Sequence, residues 1–111
     1  MGVQKDAGEL LAYLYNELIV NNKSSIGTSE ILNTTKWEGN RINHAYDYLN
    51  DLGLIKSSGG IGNNQGAKLF FIRGLYPLGI NTLEDKKEFK KCFNFEVNLG
   101  LLKFSWGASE K

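Results

Sequence analysis

EGNRINHAYDYLNDLGLI, residues 38–55, decides the fold. Ile42, Ala45, Tyr46, Leu49 and Leu52 recur at offsets of three and four, so at about 3.6 residues per turn they share one helix face. Asn40, Asn43, His44, Asp47 and Asp51 fall opposite, with Arg41 and Tyr48 on the flank. Gly53 supplies the left-handed residue on which helices commonly stop, and Leu54-Ile55 resume as an extended apolar pair. A core-facing stripe backed by amide, imidazole and guanidinium groups suits a base-reading helix, and it equally describes an ordinary surface helix. The flanking sequence has to decide.

Upstream, a first helix is expected over about residues 4–21, with Val3, Ala7, Leu10, Leu11, Leu14 and Leu18 as its stripe. Tyr13, Tyr15, Ile19 and Val20 lie on its other faces, which predicts cover by a second element or a second subunit. A polar loop, residues 21–25, breaks the pattern. Ile26-Gly27 reads as a brief strand, and Thr28 as the N-cap of a short helix over residues 29–34, with Glu30 in the first turn where the helix dipole favours a carboxylate. Thr35-Lys36-Trp37 forms a tight turn, with Trp37 as a packing residue. Two helices so joined, the second longer and polar outside, have helix-turn-helix organisation.

Downstream, residues 54–58 and 67–73 read as strands around a glycine- and asparagine-rich loop at 59–66, a hairpin with a loose tip. The tip lacks the Gly-Lys-Ser/Thr ending and following helix of a phosphate-binding loop. Pro77 fits the first turn of a helix. Asp85 caps another, in which Phe89, Cys92 and Phe93 share a face. Residues 95–106, FEVNLGLLKFSW, alternate at first and then carry apolar groups on both faces, which predicts a strand.

At 111 residues the chain forms one domain. No apolar run reaches the roughly 20 residues of a membrane span, and the N-terminal segment lacks the pattern of a signal peptide. Gly2 follows Met1, but Asp6 stands where a myristoylation signal has Ser or Thr. Cys92 has no disulfide partner, and with His44 alone it makes no zinc set; a reducing, cytoplasmic setting without metal or cofactor is expected. No nucleophile–base pair stands out, so an enzyme is not expected. Net charge is only +1, yet residues 53–75 hold Lys56, Lys68 and Arg73 with no acid. Positive charge gathers on the hairpin.

Helix, short helix, turn, longer helix, glycine, two-stranded hairpin: this order resembles the winged helix-turn-helix superfamily, of prokaryotic regulator type. The resemblance rests on IGTSEILNTT (26–35), NRINHAYDYLNDLGLI (40–55) and KLFFIRGLYPLGINTLE (68–84). It implies an α+β fold, a three-helix core plus a β-hairpin wing over residues 1–84; the helix–strand extension at 85–111, read from its own pattern, falls outside the resemblance. The resemblance further implies sequence-specific double-stranded DNA binding by a homodimeric transcriptional regulator, the third helix in the major groove and the wing on the backbone.

The expected DNA contacts are Thr35, Lys36, Asn40, Arg41, Asn43, His44, Lys56, Asn63, Asn64, Lys68 and Arg73. Asn suits adenine, Arg suits guanine, and the lysines suit phosphate. Asp47 and Asp51 oppose deep insertion of the helix, because a carboxylate repels phosphate at short range. Tyr13, Tyr15, Ile19, Leu102, Phe104 and Trp106 are the expected dimer interface, with an intramolecular strand covering the helix as the competing account. An interaction module without DNA, suggested by the near-zero charge, is the alternative function. A sensor with an aromatic C-terminal pocket is a third.

Overall fold

The apolar stripe of the first helix builds the centre. α1 (Val3–Tyr15) buries Ala7, Leu10, Leu11, Ala12, Tyr13 and Leu14 and packs against the helices Gly39–Asp51, Pro77–Glu84 and Lys86–Phe93. The computed structural model describes residues 2–64 and 66–96, with side chains described outside 60–65. Instead of continuing as an α-helix to residue 21, the chain passes at Asn16–Val20 into a short π segment. Leu18 still enters the core, as the stripe predicts, and Ile19 and Val20 on the other faces are 42% and 62% exposed. Tyr13, expected at a dimer interface, is buried within the protomer, its hydroxyl 3.4 Å from Thr34 Oγ1. Tyr15 is half-buried, packs against the core and donates from its hydroxyl to Glu84 at 2.7 Å.

β1 (Ile26–Gly27) leads directly into α2 (Thr28–Thr35). The N-cap is Gly27 rather than Thr28, and Glu30 Oε1 accepts the Gly27 N–H at 3.3 Å. Thr28 is drawn into the sheet instead. Its Oγ1 accepts the Phe70 N–H at 2.9 Å and donates to the Lys68 carbonyl at 2.8 Å. Lys36 ends α2 in the left-handed region, φ 61°. α3 (Gly39–Asp51) follows. Ile42, Ala45, Tyr46 and Leu49 are buried as the stripe predicts. Leu52 is 40% exposed, because the helix stops at Asp51 and Leu52 follows as its C-cap. Gly53, φ 75°, makes the expected stop.

β2 (Ile55–Asn64) and β3 (Ala67–Leu75) form an antiparallel hairpin, and the three strands lie in the order β1–β3–β2. The strand does not end at residue 58. Pairing continues through Gly59↔Phe70 and Ile61↔Leu69 to Asn64↔Ala67, with register shifts. Gly59 permits this, since its φ is 91° and a Cβ there would lie 2.7 Å from the Leu69 carbonyl. Phe70 and Ile72 point inward, and the Phe70 ring stacks on Tyr46 at 3.8 Å between centroids. The Tyr46 hydroxyl donates to Ser57 Oγ at 2.9 Å, so α3 is fastened to both strands of the hairpin.

α4 (Pro77–Glu84) begins on Pro77, and α5 (Lys86–Phe93) begins on Asp85, whose carboxylate accepts the Lys87 and Glu88 N–H groups. Phe89 and Phe93 are buried. α5 packs against α1 and α4, close enough that a Cβ at Gly8 would come within 2.7–2.8 Å of Phe95 and Phe93. Residues 94–96 are not strand; the rest of the expected C-terminal strand, with Leu102, Phe104 and Trp106, lies outside the described residues. The architecture is α+β: among the described residues, five α-helices and a three-stranded antiparallel sheet. No helix among them is long and apolar enough to cross a membrane.

Candidate functional site

The first turns of α3 are moored on two sides. On one side Arg41 reaches back to α1, where Nε and Nη2 donate to Asp6 Oδ2 and Oδ1 at 3.0 and 2.9 Å. The guanidinium also lies 4.1 Å from the Trp37 ring centroid, a cation–π contact. Asp6 keeps only 9% of its side chain exposed, and a carboxylate so enclosed requires its cation. Thr35 fixes the turn beneath: Oγ1 donates to the Ile31 carbonyl at 2.8 Å and accepts the Trp37 N–H at 3.1 Å. The sequence pattern puts Thr35 on a phosphate and Arg41 on a base edge. Thr35 is instead buried and Arg41 is committed to scaffold.

On the other side the hairpin closes on the helix. Asn43 Nδ2 donates to the Gly66 carbonyl at 3.0 Å, and its Oδ1 accepts the Lys68 N–H at 2.8 Å. Both ends of the amide are thereby used on backbone, so Asn43 positions the hairpin rather than offering itself to a base. Lys68 Nζ lies 3.0 Å from each carboxylate oxygen of Asp47. The acid expected to repel phosphate is thus neutralised by a cation expected to bind it.

What stays open is narrower than the sequence suggests. Lys36 in the turn, Asn40 and His44 on α3, and Lys56 and Arg73 on the hairpin are exposed; the Lys56 ammonium sits 5.6 Å from the Tyr76 ring centroid. Lys36, Asn40 and His44, with Trp37 and Arg41, border one depression of about 590 Å³. The side chains of Asn63 and Asn64 are outside those described. Cys92 is half-buried, and burial pushes its thiol pKa up, with the Glu88 carboxylate adding to the effect. That disfavours the reactive thiolate.

Two features escape the sequence reading. Asp6 satisfies the helix-dipole preference for an acid in a first turn, so nothing marks it as the partner of a residue 35 positions away. Leu69 and Phe71 are 44% and 57% exposed and border an apolar groove of about 280 Å³ beside Gly27 and Thr28. Their signal is KLFFIR, apolar on both alternating faces. No family model, curated protein or solved structure matches the chain.

Proposed function

We propose that the protein is a winged helix-turn-helix that binds double-stranded DNA as a small transcriptional regulator, laying the open start of α3 in the major groove and the hairpin on the backbone. One observation carries this reading. A short helix and tight turn deliver α3 with Lys36, Asn40 and His44 exposed around one depression, beside a β1–β3–β2 sheet whose hairpin adds Lys56 and Arg73. Asn40 suits an adenine edge, His44 a base or phosphate, and the three cations suit phosphate oxygens. Three phosphate contacts release about three counterions, a modest affinity. Doubling by a homodimer follows, for which Ile19 and Val20 remain available as exposed apolar surface.

Titration of labelled duplex DNA tests the reading. Binding is expected at about 50 mM salt and should weaken by one to three orders of magnitude at about 200 mM. Lys36→Ala should flatten the salt dependence by about one contact, while Asn40→Ala should alter preference among duplex sequences. Absence of binding at the lower salt removes the DNA reading. A second reading, a protein-interaction module, draws on exposed Leu69 and Phe71; loss of partner binding in Phe71→Ser with DNA binding absent would favour it.

A further inference from the structure

We propose that Asp47 holds, in the free protein, the position that a DNA phosphate takes in the complex, so that Lys68 is a phosphate-binding group gated by exchange between two anions. The inference rests on the DNA-binding reading and adds a site to it. Lys68 has its backbone fixed by the Asn43 amide and by β3, so its ammonium is presented beside α3 whatever it pairs with. That ammonium meets the two Asp47 oxygens at equal distance, as it would meet two oxygens of a phosphodiester.

Asp47 follows Asn40 and His44 by seven and three positions, so the three share a helix face. A duplex seated on Asn40 and His44 therefore brings a phosphate up to this pair. The pair is built to part. Its side chains are 38% and 46% exposed, so neither charge is stranded in a dry environment when the other leaves. An exposed pair of this kind is weakly held. The contrast with Asp6, 9% exposed under Arg41, is direct: that carboxylate has no water to fall back on.

Asp47 would then set the affinity rather than merely oppose binding. In the free state its negative charge is masked by Lys68, and in binding it makes each phosphate compete for that ammonium. Asn43 is a positioning residue here, since it aims Lys68 through the backbone and touches no ligand itself.

A double-mutant cycle on the full chain tests the exchange, using labelled duplex DNA across a salt series. Asp47→Asn, which keeps the side-chain shape, should tighten binding by about two- to fivefold at low salt. The slope of log K against log salt should stay within about one contact of wild type, because Lys68 meets the phosphate in both complexes, whereas Lys68→Ala should flatten it by about 0.9. In a Lys68→Ala background Asp47→Asn should give no gain. An equal gain with and without Lys68 would mean general relief of repulsion and overturns the proposal, as does no gain at all. If neither wild type nor Asp47→Asn binds duplex at low salt, the DNA reading itself has failed and the phosphate site goes with it. Unchanged hydrogen exchange of the Lys68 amide in Asp47→Asn is expected, because Asn43 holds it. Fast exchange there would show that Asp47 maintains the hairpin's position, and would overturn the division of roles.

Discussion

The two moorings of α3 use the same chemistry to different ends. On the α1 side an arginine meets an aspartate that is nearly enclosed, with an aromatic ring beneath the cation. On the hairpin side a lysine meets an aspartate at a similar distance, but both partners are open to water. Enclosure makes the first pair a fixed strut, because separating it strands a carboxylate away from solvent. Exposure makes the second an adjustable contact, because water replaces either partner. Two ion pairs of similar length on one helix thus differ in role through their surroundings alone.

The largest expected effect breaks the strut. Arg41→Ala should lower unfolding stability by about 2–3 kcal/mol in urea titration, less than the roughly 3–5 kcal/mol of a fully dry pair because the guanidinium is 37% exposed. Adding Asp6→Leu to Arg41→Met should recover part of that loss, since no charge is then left stranded; a fully additive double loss would count against the strut. Next comes the Asn43 clamp. Asn43→Ala leaves the Gly66 carbonyl and the Lys68 N–H without their partner and should cost about 1–2 kcal/mol, with faster hydrogen exchange at Lys68 than elsewhere in β3. The smallest effect belongs to the exposed pair. Asp47→Asn should change unfolding stability by less than about 1 kcal/mol; a loss as large as that of Arg41→Ala would erase the distinction between the two sides.

The order of elements is legible in the sequence because it is written in local signals. The three-four spacing of Ile42, Ala45, Tyr46 and Leu49, the stop at Gly53, Pro77 at a helix start and the Asp85 cap each declare themselves within a few residues. The state of the site is not legible, because it is set by pairings across the chain. Arg41 and Asn43 look as available as Asn40 and His44 on a helical projection. Only the arrival of Asp6 from α1 and of Gly66 and Lys68 from the hairpin separates bound from open. The π segment at Asn16–Val20 escapes because NELIV carries no Gly or Pro to mark a change of winding. The full length of the hairpin is not legible because glycine reads as loop, whereas Gly59 is what lets the paired strands pass.

Amide chemical-shift mapping on adding duplex DNA at low salt tests most directly the claim that the open face of α3, and not the apolar face of the sheet, is the binding surface. The largest shifts are expected at Lys36, Asn40, His44 and Asp47, with a second group at Lys68 and Arg73 and little change at Leu69, Phe71 or along α5. Shifts centred on Leu69 and Phe71, or none anywhere on saturation with duplex, would contradict it.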